Sequence, residues 1–438
     1  MVKQTRRSFV GSTAGTLAGA AAATSLGAAI AEAAPAVGVA PVSRRAQDDR
    51  QKITFYHIFG TPPGGTPAAS PAPMIQVIDA FNAQSTTTFI ESQTPSTAYA
   101  EVLQKAQADI AAGNAPDLVI TPWSNLNYAD EGLGVIDLGT VGGDKLEDVL
   151  GNLRQEARDI VTKDDRVLGL PWGLSTPIVY YNADVFKQAG VDPETALATW
   201  DAFKTDAPKL QEALGGNPVI AFTFNKDWPA QTLVQCNGGR IVNDDGTFGF
   251  TSDEAKAAMQ MVADLDKDGL YDRSTSQEIR PNFVSGATAV FIASVASLKG
   301  LRNDVAFTLG TAPWPTFADK ARKASTGGSF IGVYTRDESH YAGIWEFFTF
   351  CTSQAGYEIW NQTGYINIST HDFPQLDGQA PAYTQFEEGL IRETNWPGAR
   401  GLEAQTTWAT FVERIWANDI SVDEGVSEAE SELSAIVG

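Results

Sequence analysis

Residues 169–200 read GLPWGLSTPIVYYNADVFKQAGVDPETALATW, and this stretch decides the fold. The apolar run Pro177–Tyr181 predicts a buried strand. It leads into a predicted helix that opens at Asn182 and closes at Gly190, because Asn favours N-caps and Gly favours C-caps. Residues 169–177, rich in Gly, Pro and aromatics, predict a loop that crosses between two lobes. Its side chains would face a cleft, which favours binding over chemistry.

Length, composition and charge set the outer limits of function. The 438 residues have room for two or three domains, and 43% hydrophobic content supplies large cores. The net charge of −22 excludes nucleic acid as a partner, because phosphate backbones are bound by clustered Lys and Arg. An anionic ligand would need a local Arg or Lys to overcome the surrounding negative field.

The N-terminus predicts export. Thr5–Val10 fits a twin-arginine signal, and residues 31–33 offer a small-x-small cleavage site, so residues 1–33 are interpreted as a signal peptide. Residues 34–52 predict a flexible stalk. No cysteine precedes Cys236, which argues against an N-terminal lipoprotein. The alternative is a retained membrane anchor, although the Ala/Gly-rich run is poor spanning material. The expected location is the periplasm or the outer cell surface.

Periodicity after residue 52 predicts an α/β fold. Apolar residues at helical spacing follow a first strand at 53–59; they are Met74, Val77, Ile78 and Phe81. Asp117–Thr121 predicts a short buried strand, and strands that alternate with helices imply a largely parallel sheet. The C-terminal half is more helical, and Ser421 with Glu424 predicts a capping box for a last helix.

Cysteine and histidine usage predicts no catalytic or redox centre. Cys236 and Cys351 both sit among apolar residues, which favours two buried free thiols over a disulfide. His340 and His371 have polar neighbours and are predicted at the surface. His57 alternates with apolar residues in the first strand, which favours a core position over a ligand role.

One segment imitates a calcium loop. Asp264, Asp266, Asp268 and Gly269 match the start of the Asp-x-Asp-x-Asp-Gly pattern, but Thr275 stands where a bidentate Glu belongs. A helix end capped by Gly269 is the favoured interpretation. The sequence therefore predicts no metal and no cofactor.

Common enzyme signatures are missing from the sequence. It contains no Gly-x-Ser-x-Gly, no His-Glu-x-x-His and no phosphate loop. A secreted carbohydrate-active enzyme stays open as the alternative, since scattered catalytic carboxylates leave no pattern. A structural surface protein is a third possibility.

Tryptophans in probable loops favour binding of a small ligand. Flat aromatic faces in a cleft stack on sugar rings or hold cationic groups. For any one of them core packing is the alternative. The six are Trp123, Trp172, Trp228, Trp314, Trp360 and Trp396.

Six loose motifs in register resemble the solute-binding proteins of bacterial ABC importers, in the group that takes sugars and glycerol phosphates. The resemblance covers roughly residues 52–436. The motifs are Ala112-Gly113-Asn114-Ala115-Pro116-Asp117, Tyr180-Tyr181-Asn182, Phe283-x-x-Gly286-x-x-Ala289, Gly327-Gly328, Trp360-x-x-x-Gly364-Tyr365 and Asn395-Trp396-Pro397-Gly398-Ala399-Arg400. This resemblance implies a two-lobed type II binding-protein fold, an ABC permease as partner and a monomeric state. It implies a binding protein and not an enzyme.

Within that family the chain is most similar to the glycerol-3-phosphate-binding branch. The branch's ligand contacts carry over onto Tyr99, Ser175, Ser294, Gly328, Tyr365 and Arg400. An Arg at this place would grip a phosphate bidentately, with serine hydroxyls and a glycine amide as further donors. Trp172 and Trp228 are added as aromatic walls of the cleft.

One departure leaves the ligand open. Where the branch carries a Glu that accepts glycerol hydroxyls, this chain has Trp123. An aromatic face there would favour a sugar ring, or the choline head of a glycerophosphodiester, over free glycerol-3-phosphate. Trp123→Glu would then shift preference toward glycerol-3-phosphate.

The resemblance also implies lobe boundaries and a mode of action. Closure of the hinge would bury the ligand, and the permease would recognise the closed state. The expected hinge crossings lie near Pro171, Gly328 and Gln354. The N-terminal lobe would hold residues 52–171 plus 330–355, and the C-terminal lobe residues 172–329 plus 356–438.

Overall fold

The computed structural model describes residues 49–65, 72–223, 226–243, 245–275, 277–318 and 320–438. The predicted signal peptide, its cleavage site and nearly all of the stalk lie outside these residues. The strands are β1 Gln51–Tyr56, β2 Thr88–Gln93, β3 Leu118–Pro122, β4 Thr162–Lys163, β5 Arg166–Val167, β6 Leu170–Ser175, β7 Pro177–Asn182, β8 Ile220–Phe222, β9 Val290–Ser294, β10 Leu309–Ala312 and β11 Gly327–Val333.

Seventeen α-helices are present in this described part of the chain. They are α1 Pro73–Gln84, α2 Tyr99–Ala111, α3 Leu138–Gly142, α4 Leu146–Leu150, α5 Gln155–Ile160, α6 Ala183–Ala189, α7 Pro193–Ala196, α8 Trp200–Ala213, α9 Asp227–Cys236, α10 Asp253–Lys267, α11 Ile279–Ser285, α12 Leu298–Asp304, α13 Tyr341–Thr352, α14 Gln354–Trp360, α15 Ala380–Glu388, α16 Gly401–Trp416 and α17 Val422–Val437. None of these helices has the length and apolar character needed to cross a membrane.

Two mixed sheets form the framework. The first has the order β2-β1-β3-β11-β6, in which β1, β2 and β3 run parallel and β11 is antiparallel to both of its neighbours. The second has the order β10-β7-β9-β8, with β8 and β9 parallel and β7 antiparallel to β9 and β10. Helices cover both sheets, as expected for an α/β architecture.

The chain passes from the first sheet to the second at a single residue, Thr176. Residues 170–175 are a buried strand of the first sheet, and β7 opens the second sheet directly afterwards. The prediction of a loop over residues 169–177 was therefore wrong, and the crossing lies beyond Pro171. Sequence did not reveal this, because the Gly and Pro residues of β6 resemble loop punctuation but pair with β11.

The chain crossing between lobes that we expected near Gln354 falls at the start of a helix. Gln354 begins α14, and this helix packs on α1 and α13 beside the first sheet. A boundary at 355/356 would cut this helix, so we expect the whole of it to belong with the N-terminal lobe. The remaining lobe assignments stay predictions.

Helix caps follow the sequence closely. The Asn182 side chain accepts hydrogen bonds from the first turn of α6, and Gly190 closes that helix in the left-handed region at φ +65°. Ser421 caps α17 as expected. Ser252 caps α10.

The side chains that resembled a metal site serve the structure instead. Asp266 pairs with Arg273 and accepts from Asn418, while Gly269 ends α10 at φ +70°. Across the described ranges, no group of three His, Cys, Asp or Glu side chains could hold a metal ion. Cys236 and Cys351 are free and buried, which confirms the thiol prediction.

The structure agrees with the predicted position of His57 and differs from the predicted surface positions of His340 and His371. His57, directly after β1, is fully buried, and its Nε2 lies 2.7 Å from the Ser92 hydroxyl, so the core position is confirmed. His340 is not a free surface residue, since its Nδ1 lies 2.6 Å from the buried Asp117 carboxylate. His371 is also partly buried, with Nε2 3.0 Å from the Thr352 carbonyl.

Candidate ligand-binding cleft

A cavity of about 360 Å³ opens where the two sheets meet. It lies at the carboxyl ends of β3, β8 and β9, the usual place for ligands in α/β sheets. Its size falls in the range of about 300–1,000 Å³ that small-molecule sites occupy. The start of α2 and the middle of α16 complete the wall.

Six of the predicted contact residues come together at this cavity. They are distant in sequence and arrive on different elements: the start of α2, the ends of β6 and β9, α9, β11 and the turn after α14. The six are Tyr99, Ser175, Trp228, Ser294, Gly328 and Tyr365. Their roles as ligand contacts remain predictions, but the shared location is what those roles require.

Two tryptophans hydrogen-bond to the backbone at the start of β11. The Trp228 indole N–H donates to the Thr326 carbonyl (2.9 Å), and the Trp123 indole N–H donates to the Gly327 carbonyl (2.8 Å). A Cβ on Gly327 would lie 2.4 Å from the Trp228 ring. The Gly-Gly pair is therefore needed because both rings approach the backbone closely.

Trp123 does not present an aromatic face to the cavity. Its side chain is 1% exposed, stacks on Phe330 at 6.0 Å and does not line the cavity. The interpretation of Trp123 as a ligand platform is therefore corrected: its ring packs in the core and its N–H donates to the backbone at the start of β11.

Trp172 supports the cavity indirectly. It is fully buried in β6 and packs on Trp360 with ring centroids 4.7 Å apart. Trp360 in turn stacks on Tyr365 at 5.1 Å and an interplanar angle of 15°. Trp172 is thus not a wall of the cleft but the base of an aromatic stack that positions Tyr365. Trp314 and Trp396 are buried in the core of the second lobe.

Arg400 lies away from the cavity. Its guanidinium is exposed and binds the Glu403 carboxylate in α16 through two nitrogens, at 2.7 and 2.5 Å. The structure therefore does not place Arg400 where it could grip a phosphate in this cavity. Sequence suggested otherwise because the motif matched, whereas the direction of the side chain depends on how α16 begins.

We expect Arg400→Ala to leave ligand affinity unchanged within about twofold, because an exposed ion pair contributes little to its surroundings. Isothermal titration of both proteins with any ligand that the cavity binds checks this. A complete loss of binding would return Arg400 to the site.

Two buried carboxyl groups at the cavity were missed by sequence. Glu393 lines the cavity and is 5% exposed, and Asp227, at the start of α9, is fully buried behind the wall. The Gln405 side-chain amide links Asp227 to the turn after β3, since Nε2 donates to the Ser124 hydroxyl (3.0 Å) and to Asp227 Oδ2 (2.9 Å). The only signal for Glu393 was its place just before the Asn395–Arg400 motif.

Both carboxyl groups have raised pKa values. Burial raises the pKa of Asp227 to about 6, against the hydrogen bonds from Gln405 and Gln231 that favour the ionised form. Burial, and next the charge of Asp227, raise the pKa of Glu393 well above its usual range. One wall of the cavity therefore holds carboxyl groups that resist ionisation.

Several polar atoms at the cavity lack a hydrogen-bond partner. The Tyr99 hydroxyl lies near Ser329 and Tyr365 without bonding geometry to either, and the Asn125 side-chain N–H₂ is also unpaired. Both residues line the cavity. Buried polar groups are normally satisfied, so such atoms mark a place where a ligand or water supplies the missing partner.

We expect Asp227→Asn to gain stability relative to the native protein as pH rises. A carboxyl group whose pKa is higher in the folded state binds more protons there, so the stability it contributes falls as pH rises from about 4 through 6. Asn cannot ionise and avoids this loss, which amounts to about 2 kcal/mol between pH 4.5 and 7.5.

Urea denaturation of both proteins at the two pH values measures this difference. His57, whose pKa burial lowers to about 4, destabilises the folded state as pH falls, but it is present in both proteins and cancels. A difference in unfolding free energy that stays constant with pH would contradict the prediction.

A second cavity, of about 530 Å³, lies beside the first and shares Glu393 as a wall. Its lining includes Lys163, Arg240 and Arg392. Lys163 is already paired with Asp130 and Glu131, at 3.2 and 2.7 Å. Among the described residues that line the two cavities, the basic side chains are therefore in the neighbouring one.

Comparison with known proteins agrees with this architecture. The chain matches the family model described as bacterial extracellular solute-binding protein over residues 76–387. It is 30% identical over 242 residues to the sn-glycerol-3-phosphate-binding periplasmic protein of Yersinia pestis, which covers 51% of this chain and 54% of the relative. The chain therefore spans about half the length of the curated relatives it matches.

Solved structures show the same fold. UgpB from Mycobacterium tuberculosis, in complex with glycerophosphocholine, is 21% identical with a TM-score of 0.74 and covers 88% of this chain and 98% of that one. An ABC substrate-binding protein from Listeria monocytogenes, in complex with cycloalternan, is 18% identical with a TM-score of 0.75, covering 88% and 99%. With the family match, they confirm the predicted two-lobed type II fold. The chain belongs to the bacterial extracellular solute-binding proteins, a family of binding proteins and not of enzymes.

Proposed function

We propose that this protein captures a sugar-type or glycerol-phosphate-type solute outside the cytoplasm and delivers it to an ABC permease. The carrying observation is the cavity between the two sheets, where six predicted contact residues meet beside unpaired polar atoms. Aromatic rings with a few convergent polar groups are typical of small-molecule sites.

Hinge closure is the proposed mode of capture. Three segments meet at the cavity between the sheets: the junction of β6 and β7, the Gly327-Gly328 end of β11, and residues 391–395. A rotation about these few residues would open and close the cavity without disturbing either core. The closed, ligand-loaded form would then be the one that the permease recognises.

The export route and the oligomeric state are proposed from the sequence. Residues 1–33 would direct export by the twin-arginine pathway, and the protein would work as a monomer in the periplasm or on the outer cell surface, without an N-terminal lipid. A captor of scarce solute needs a dissociation constant near micromolar, or about −8 kcal/mol.

A thermal-shift screen tests the proposal. The panel holds mono- to trisaccharides, glycerol-3-phosphate and glycerophosphocholine, because a ligand that binds the folded state raises the melting temperature by mass action. Hits are titrated by calorimetry, and the ligand is analysed after incubation. Saturable binding with unchanged ligand supports capture, whereas turnover of a glycoside would favour an enzyme.

A further inference from the structure

The described lining of the candidate cavity includes an acidic side chain and no basic side chain. Among the described residues that line it, the ionisable side chains are Tyr99, Tyr365 and Glu393, and none is Lys, Arg or His. An anionic group placed there would gain no charge-assisted hydrogen bond. The remaining polar groups are hydroxyls and amides, which pair well with ligand hydroxyls.

Glu393 is held rigidly in this wall. Its backbone N–H donates to the Thr326 hydroxyl (2.8 Å), and the Thr326 N–H donates to the Ile391 carbonyl (2.7 Å). The carboxyl group lies near Ser124, which follows β3, without a hydrogen bond to it of normal geometry. The backbone bonds therefore place the carboxyl group at the cavity surface before any ligand arrives.

Asp227 strengthens the acidic character of the same wall. Gln231 and Gln405 both donate to its Oδ2 at 2.9 Å, and its Oδ1 has no partner. Within the described ranges no cation pairs with it: the neighbouring Lys226 donates instead to the Phe222 carbonyl (3.0 Å) and lies over the Tyr271 ring. A phosphate dianion in the cavity would therefore find no cationic donor among the described lining residues, and any ionised carboxylate of this wall would repel it.

A neutral polyol carries no charge and therefore needs no counter-charge in the cavity. Ligand hydroxyls both donate and accept, so they match a carboxyl group that stays protonated as well as one that ionises. The Asn125 N–H₂ and the Tyr99 hydroxyl offer further unpaired hydrogen-bonding groups in the same space. Trp228 and Tyr365 supply aromatic surface for the C–H faces of a sugar ring.

We propose that Glu393, backed by Asp227, is the specificity-determining group of the cavity and selects neutral, polyhydroxylated solutes of the carbohydrate class over phosphate esters. This inference rests on the solute-capture function proposed above and narrows its ligand class. It differs from the ligand that the resemblance to the glycerol-3-phosphate branch suggests, because the cation expected from Arg400 is absent from the cavity.

Calorimetric titration of the native protein is the primary test, with glycerol, mono- to trisaccharides, glycerol-3-phosphate and glycerophosphocholine as probes. We expect at least one neutral saccharide to bind and glycerol-3-phosphate to bind at least about tenfold more weakly. Tighter binding of a phosphate ester than of every saccharide would overturn the inference and leave the capture function intact. Saturable binding of no probe would overturn the capture function, and the inference with it.

Variants of Glu393 give an independent test. Glu393→Ala should weaken saccharide binding at least about tenfold, because the ligand hydroxyls lose a fixed buried partner. Glu393→Gln keeps a donor and an acceptor in place and should retain affinity within about threefold. Glu403→Ala, which removes an exposed carboxylate from the same part of the chain, is the matched control.

An Arg392→Ala variant tests whether a phosphate ester binds in the neighbouring cavity. Arg392 lines the neighbouring cavity, where its guanidinium donates to the Ile160 carbonyl (2.5 Å). If a phosphate ester binds tightly and this variant abolishes that binding, the anion occupies the neighbouring cavity across Glu393. That result would overturn the selection proposed here.

Discussion

Replacing Gly328 with alanine is expected to cost at least about 3 kcal/mol of folding stability and to abolish ligand binding. Gly328 has φ +117°, a conformation that side-chain-bearing residues rarely adopt. A Cβ at this position would lie 2.0 Å from the Gly173 carbonyl oxygen and 2.8 Å from the Trp123 indole nitrogen. The first neighbour is backbone of the paired strand β6, so it cannot turn aside.

Gly113→Ala separates the cost of backbone strain at a positive φ from the cost of a steric clash with the added Cβ. Gly113 also has a positive φ, +78°, but a Cβ there meets nothing within 4 Å. Its substitution should therefore cost only about 1 kcal/mol, the usual penalty of the left-handed region. Urea denaturation and ligand titration of both variants measure the difference; equal losses would show that close packing at the hinge is not decisive.

Trp123→Glu is expected to unfold the protein or to cost at least about 4 kcal/mol, a large share of the stability of an ordinary domain. The substitution removes a buried ring that stacks on Phe330 and places a carboxylate where the side chain is 1% exposed. Burial of an unpaired charge adds to the loss of packing. Circular dichroism and thermal denaturation report the outcome.

Trp123→Phe is the control for this experiment. It keeps an aromatic ring but loses the N–H bond to the Gly327 carbonyl, so the expected cost is about 1–2 kcal/mol. A folded Trp123→Glu protein that binds glycerol-3-phosphate would contradict this account. It would restore the interpretation of Trp123 as a replaced ligand carboxylate.

Local pattern predicted the elements of secondary structure well. The helix with Met74, Val77, Ile78 and Phe81 on one face is α1, and all four side chains are buried as the spacing requires. The caps at Asn182 and Ser421 were equally readable, because a cap depends on residues within one helical turn. Strand β6 was missed, since its partner β11 lies more than 150 residues further along the chain.

Sequence predicted a site residue best where the path of the backbone alone sets the direction of its side chain. Ser175, Ser294 and Gly328 sit at strand ends, where the path of the chain sets their direction. Trp123 and Arg400 depend on long side chains whose direction follows from neighbours distant in sequence, and neither lines the cavity.

By itself the sequence predicted the family, the alternation of strands and helices and six of the residues that line the cavity. These features follow from periodicity, capping and short motifs, all of which are local. Only the tertiary structure decided which charges face the ligand. It brought Glu393 and Asp227 to one wall, linked Asp227 to Ser124 through Gln405 and left Arg400 outside. Charge in a cavity is set by which distant side chains converge, and no local pattern records that convergence.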